Sequence, residues 1–187
     1  MRQPLLISFV ALALAGCQST SPAPVAVVAP FDPAEAAFIK KTGTTTIAGH
    51  AFWRDDNGGT VDAAGETIRL VPATNYARQR FAALYRGQRS IPASQIQQST
   101  PDPAYADYTR TTRAESSGRF EFENVAAGQY FVTAQVRYRD KSQFVHLQSG
   151  AYHNYIRMGA DGGAMYETVT VTGKEEKPLK LVVTNDR

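Results

Sequence analysis

The 187-residue sequence has a single cysteine, Cys17, and therefore cannot form an internal disulfide. The folded part of the chain must be held together by its apolar core alone. The sequence also lacks a Gly-x-Ser-x-Gly nucleophile motif and a Walker-type phosphate loop. We therefore predict a protein that is not an enzyme and that uses no cofactor.

A large excess of charge of one sign is also missing. The chain has 20 Lys and Arg residues against 17 Asp and Glu residues, which gives a formal net charge of +3. Proteins that bind nucleic acids usually concentrate positive charge on one face or in one stripe. A balance this small and this mixed in sign does not indicate such a face, so we predict no nucleic-acid partner.

Histidine is scarce, and the three in the sequence are His50, His146 and His153. None of them has the His-x-x-x-His spacing that places two zinc ligands on one face of a helix. Side chains distant in sequence can still converge on a metal ion, so the three are weak candidates for metal ligands. Together with the polar and aromatic stretch 146–163, they support an alternative hypothesis. In it, the chain is a small periplasmic metal- or carbohydrate-handling protein or enzyme.

The apolar run at residues 5–15 (LLISFVALALA) is too short to span a membrane. As a helix, these residues would rise about 16 Å, roughly half the thickness of a bilayer core. They therefore indicate a signal peptide. Residues 14–17 (LAGC) follow and resemble the lipobox of bacterial lipoproteins. The resemblance implies that residues 1–16 are removed and that the Cys17 thiol receives a lipid, which would bind the protein to a membrane.

Residues 18–33 consist mostly of Ser, Pro, Ala and Val. This composition favours an extended tether of at most about 55 Å. We assign 17–43 to the lipidated cysteine and the tether, and 44–187 to one folded domain. Gln18, by the same resemblance, implies retention in the outer membrane, because an aspartate there would favour the inner membrane. We expect the domain to face the periplasm.

Alternating apolar and polar residues predict strands through most of the folded part. The clearest pattern is at 118–136 (GRFEFENVAAGQYFVTAQV), where Phe120 and Phe122 face one way and Glu121 faces the other. A glycine at the start of each half indicates a turn. Further strands are predicted within 44–53, 66–71, 108–114, 165–171 and 179–183. These strands predict a mainly β fold, a single β-sandwich of about seven strands.

A change of period interrupts the early strands. Residues 75–85 (NYARQRFAALY) place apolar side chains at helical spacing, with Arg78, Gln79 and Arg80 on the opposite side. We predict a short helix on the sheet, capped by Asn75 and ended by Gly87. Residues 88–107 contain three prolines and are predicted to form a long irregular loop.

The predicted hairpin resembles the signature of carboxypeptidase regulatory-like domains, also called transthyretin-like or prealbumin-like sandwiches. The residues that match the signature are Gly118, Phe120, Phe122, Val125, Gly128 and Tyr130. The resemblance extends over roughly 44–138 and implies a prealbumin-like sandwich with the helix and loop inserted. It says little about function, because such scaffolds have many unrelated functions.

Arginine and tyrosine, residue types enriched in interface hot spots, are concentrated on the predicted helix and loop. The candidate partner-binding residues are Arg78, Arg80, Tyr85, Arg86, Arg89 and Tyr105. They suggest a docking surface for an envelope protein or a cell-wall polymer. Our hypothesis is a membrane-anchored envelope lipoprotein that acts as a non-catalytic binding, adaptor or structural module.

Overall fold

The computed structural model describes residues 29–97, 99–138, 144–146, 152–154 and 161–186. The predicted signal peptide, Cys17 and the predicted tether up to residue 28 lie outside these residues. Within the described ranges, no helix has the length and apolar character needed to cross a membrane.

The described chain is mainly β, as predicted. Its strands are β1 (Thr45–Arg54), β2 (Thr60–Asp62), β3 (Thr67–Pro72), β4 (Ser90–Pro92), β5 (Arg110–Arg113), β6 (Arg119–Val125), β7 (Gly128–Tyr138), β8 (Phe144–His146), β9 (Tyr152–Asn154), β10 (Asp161–Val171) and β11 (Leu179–Val183). Its α-helices are α1 (Pro33–Ala36) and α2 (Asn75–Leu84). Short 3-10 helices occupy Ala37–Lys40, Ala93–Gln95 and Pro103–Tyr108.

Nine of these strands form the two sheets of a sandwich, two more than predicted. In the first sheet, β1 is central and pairs in parallel with β11, while β6 and β2 pair antiparallel with successive segments of β1. The second sheet is antiparallel, in the order β4-β10-β7-β3-β5. Strands β8 and β9 form a separate two-stranded ladder.

The core lies between the two sheets and contains the side chains that the alternation predicted. Phe120 and Phe122 of β6 are buried there, as are alternate residues of β7 beginning with Tyr130. The Tyr130 hydroxyl donates a 2.8 Å hydrogen bond to the Ala126 carbonyl, so the buried polar atom is satisfied. Each large apolar side chain buried in this way contributes roughly 1.5–3 kcal/mol through the hydrophobic effect.

Residues 29–43, which we had assigned to the tether, pack against the sandwich. Asp32 caps α1 by accepting a 2.8 Å hydrogen bond from the Ala34 amide. In the 3-10 helix that follows, Ile39 joins the core and the Phe38 ring meets Tyr130 edge-on at a centroid distance of 5.2 Å. The packed part of the chain therefore begins before residue 44.

The predicted helix is confirmed, with a different cap. Thr74, one residue before the predicted Asn75, caps α2 through its side-chain oxygen, which accepts from the Ala77 amide at 3.1 Å. Arg86 and Gly87 both have positive φ and end the helix. Residues 88–107 are not irregular throughout, because they contain β4 and 3-10 turns.

Gly118 occupies the turn before β6 with a φ of 71°. A Cβ atom there would lie 2.5 Å from the Ala51 carbonyl oxygen. Gly65 has the same φ of 71°, but none of the described residues beyond its chain neighbours lies within 4 Å of its Cβ position. The two glycines thus share the same φ and differ in what surrounds the Cβ position.

We predict that Gly118→Ala destabilises the protein more than Gly65→Ala. The left-handed φ costs about 1–2 kcal/mol at either position, and the clash with Ala51 adds about 1–3 kcal/mol at Gly118 alone. Urea unfolding of both variants measures the difference. Equal losses of stability would show that the close approach to Ala51 is unimportant.

Candidate functional site

A cavity of about 370 Å³ lies on the outer face of the five-stranded sheet, beside α2. Its floor is a row of side chains from adjacent strands. Arg69 of β3 pairs with Thr111 of β5 on one side and with Thr133 of β7 on the other. Paired residues project to the same face of a sheet, so these three side chains lie in one line beneath the cavity.

Helix α2 forms one wall, because its apolar side holds it on the sheet. Phe81 stacks on Phe131 of β7 at a centroid distance of 4.5 Å and meets Tyr166 of β10 edge-on at 4.9 Å. These contacts direct Arg80, Leu84 and neighbouring side chains toward the cavity. The wall is therefore fixed by the same packing that attaches the helix.

The opposite wall is formed by the segment from Pro101 to Thr109, whose Tyr105 side chain borders the cavity. The Tyr105 ring lies edge-on to Phe31, at a centroid distance of 5.8 Å, and 5.3 Å from Tyr76. Burial raises the pKa of Tyr105 well above its usual range, although the nearby Arg80 partly opposes this. The phenol is therefore neutral at physiological pH.

Tyr85 connects the end of α2 to the cavity floor. Its hydroxyl lies 2.9 Å from the Thr133 hydroxyl, which donates to the Met165 carbonyl at 3.0 Å. Burial raises the pKa of Tyr85 to about 12, and the bond to Thr133 lowers it slightly. At neutral pH the Tyr85 hydroxyl is protonated and donates a hydrogen bond.

Arg80 is the most unusual group at the cavity, because the residue is only 9% exposed. Its Nη1 donates to the Ser99 hydroxyl at 2.8 Å and its Nη2 to the Ser99 carbonyl at 2.9 Å. The Tyr105 ring centre is 5.8 Å from the guanidinium carbon. No salt bridge recorded among the described residues includes Arg80 or Arg69.

The six predicted partner-binding residues do not form one surface. Arg80, Tyr85 and Tyr105 border the cavity. The other three bond elsewhere: Arg78 to Gln129, Arg86 to Gln95, and Arg89 to Glu167. Arg80 had been placed on the exposed side of the helix and is instead buried, as is Tyr85. A role for the six in partner binding stays a prediction.

Sequence reasoning missed the floor of the cavity. In β3, Arg69 lies on the face opposite the buried Ile68 and Leu70, but the strand pattern gave no indication of what borders that face. Thr111 and Thr133 carried no signal, because threonine is common in strands. Only the register of β5, β3 and β7 brings these residues together.

The histidines predicted as weak metal candidates remain untested as a group. His50 lies on β1 and pairs with Asp62 at 2.8 Å, with both side chains about 40% exposed. His146 and His153 belong to β8 and β9, and their side chains lie outside what is described. The described residues contain no cluster of three His, Cys, Asp or Glu side chains suited to a metal ion.

Comparison with solved structures identifies the architecture. A candidate carbohydrate binding protein from Pseudomonas aeruginosa matches this chain with a TM-score of 0.62. The two proteins share a fold. The match covers 83% of this chain and 97% of that chain at 23% sequence identity, so it establishes the fold alone.

Other comparisons add little. A minor pilin of Streptococcus agalactiae has a TM-score of 0.33 and 10% identity over 77% of this chain and 45% of that chain, a likeness too weak to support an argument. No protein-family model and no curated protein matches the sequence. The resemblance to carboxypeptidase regulatory-like domains therefore stays a prediction.

We predict that Tyr85→Phe lowers the stability of the protein by about 1 kcal/mol at pH 7, because it removes one buried hydrogen bond. The raised pKa adds a pH dependence. The stabilisation from neutral Tyr85 is complete below pH 10 and is lost as the pH rises through about 12. Urea unfolding should be measured at pH 7 and at a pH of about 12. Between the two, the variant should lose less stability than the wild type. Equal losses would contradict the assigned burial.

Proposed function

We propose that this protein is a lipid-anchored, non-catalytic binding protein of the bacterial envelope, which binds a sugar in the cavity between α2 and the five-stranded sheet. The observation that carries the proposal is the cavity itself. Its volume of about 370 Å³ falls within the range of small-molecule sites, about 300–1,000 Å³. Its lining combines apolar walls with a few converging polar groups, as such sites usually do.

The chemistry of the lining supports binding rather than catalysis. The polar side chains that border the cavity are two arginines, two tyrosines and three threonines. None of these bordering residues has a carboxylate, an imidazole or a thiol, the groups that most often act as general bases or nucleophiles. The two tyrosines have raised pKa values and do not act as bases near neutral pH.

A carbohydrate suits this mixture of surfaces. A sugar ring presents C–H groups, which pack on an aromatic side chain such as Tyr105, and hydroxyls, which bond to polar groups such as Thr109 and Thr111. The protein of similar fold from Pseudomonas aeruginosa is described as a candidate carbohydrate binder, which supports the same ligand class here. A cell-wall polymer would supply such sugars in the envelope.

The lipid anchor is supported by the sequence at residues 5–17, where a short apolar run ends in the lipobox-like LAGC. Outer-membrane retention is supported by Gln18. The tether would leave the anchor and enter the folded domain close to the cavity, because Phe31 contacts Tyr105 of the cavity wall. In this arrangement the domain faces the periplasm and collects its ligand there.

We predict that blocking the cavity abolishes sugar binding. Ala106 borders the cavity and is exposed, so Ala106→Trp should fill the space without disturbing the core. Saturation-transfer NMR with glucose, N-acetylglucosamine and glucuronate should detect binding of at least one sugar to the full-length protein in detergent. Ala106→Trp should remove that signal.

The matched control is Ala64→Trp, which adds the same ring at an exposed turn away from the cavity. It should bind as the wild type does. An unchanged signal in Ala106→Trp, or no signal from any of the three sugars, would contradict a sugar site in this cavity.

We predict that Cys17→Ser prevents lipidation and leaves the signal peptide uncleaved at this site, since the thiol is the group that accepts the lipid. Metabolic labelling with an alkyne fatty acid should mark the wild type and not the variant. Membrane fractionation should then place the labelled protein with the outer membrane. Labelling that persists in the variant would rule out Cys17 as the anchor.

A further inference from the structure

Arg80 has a buried positive charge that no carboxylate of the described residues pairs with. Its recorded partners are the hydroxyl and carbonyl of Ser99 and the ring of Tyr105, all of them uncharged. Taking a guanidinium out of water is unfavourable unless an opposite charge compensates. The neutral partners compensate only in part, so an anion beside Arg80 would be favoured.

Arg80 also has donors to offer. A guanidinium has five N–H groups, and Ser99 accepts from two of them, which leaves three for another partner. Arg80 borders the cavity together with Arg69 on the floor. Arg69 is exposed, and its side chain forms no hydrogen bond or salt bridge with the described residues.

The remaining polar side chains of the cavity do not oppose an anion. They are the hydroxyls of Tyr85, Tyr105, Thr109, Thr111 and Thr133. None of these hydroxyls has a negative charge at neutral pH. Tyr85, Thr109 and Thr133 already donate within the protein, which leaves the hydroxyls of Tyr105 and Thr111 as donors for a ligand. The cavity therefore combines two positive charges with two hydroxyl donors, which is complementary to an anionic ligand with acceptor groups.

We propose that the ligand is an acidic sugar, whose carboxylate binds Arg80 with Arg69 as the second positive group. This inference rests on the proposed function, because it names the ligand class of the same cavity. An arginine and a carboxylate form a strong, charge-assisted pair, and removal from bulk water strengthens it further. The cavity volume of about 370 Å³ leaves room for the sugar ring beside the carboxylate.

A purely structural role for Arg80 is the competing explanation. In that role its two bonds to Ser99 hold the segment that follows α2 and β4, and the charge has no ligand. The two roles differ in a measurable way. A structural arginine affects folding alone, whereas a binding arginine selects charged over neutral ligands.

The test is calorimetric titration of the full-length protein, in detergent, with glucuronate, glucose and acetate. Glucuronate and glucose differ at one carbon, a carboxylate in the first and an alcohol in the second. We expect glucuronate to bind about 10- to 100-fold more tightly than glucose, as hydrogen bonds to a charged group allow. Acetate, which has the carboxylate without the ring, should bind more weakly than glucuronate.

Substitutions assign the effect to the arginines. Arg80→Gln keeps an amide that can donate to Ser99 and removes the charge, so it should erase the preference for glucuronate. Arg69→Gln changes an exposed residue and leaves the buried contacts in place, so it should weaken glucuronate binding by about two- to fivefold even if Arg80→Gln fails to fold. Arg78→Gln is the matched control on the same helix, outside the cavity, and should change nothing.

The outcomes separate this inference from the proposed function. If glucuronate and glucose bind equally well and both lose binding in Ala106→Trp, the proposed sugar site stands. The proposed role of the ligand's carboxylate is then overturned. If acetate binds as tightly as glucuronate, the cavity recognises a carboxylate, and the proposed recognition of a sugar ring is overturned. Binding of none of the three would overturn both. Unchanged glucuronate binding in Arg69→Gln and Arg80→Gln would overturn the assignment of the two arginines.

Discussion

The stacking of Phe81 on Phe131 is the contact on which the candidate site depends. It attaches α2 to the outer face of the five-stranded sheet, with the ring centroids 4.5 Å apart. Tyr85 and Tyr166 extend the aromatic cluster on the same face. Because the helix covers only part of the sheet, the row through Arg69 stays uncovered beside it. The cavity is the space between that row, the helix and the segment carrying Tyr105.

The buried charge of Arg80 fits a general conflict between stability and function. A neutral side chain at this position would avoid the unfavourable burial of a guanidinium. Binding sites commonly retain such unfavourable groups because the ligand compensates them. Phe31, which lies within the predicted tether, contacts the same tyrosine that borders the cavity.

The sequence predicted the fold better than it predicted the site. The β-sandwich, α2 and the burial of Phe120 and Phe122 followed from periodicity, which reflects local geometry. The cap of α2 was misplaced by one residue, because Thr74 and Asn75 are both good capping residues. The start of the packed domain was also missed, since residues 29–43 pack through contacts that are distant in the sequence, such as that of Phe38 with Tyr130.

Local pattern and residue type determined the strands, the helix and the lipobox-like motif, because each depends on neighbours in the sequence. The tertiary structure decided where the charges lie. Arg80 looked exposed by helical spacing, yet Ser99 and Tyr105 cover it. Arg69, Thr111 and Thr133 come from three strands, and only their pairing register brings them into one row. A site assembled from separate strands and a loop depends on long-range packing, which the sequence pattern does not encode locally.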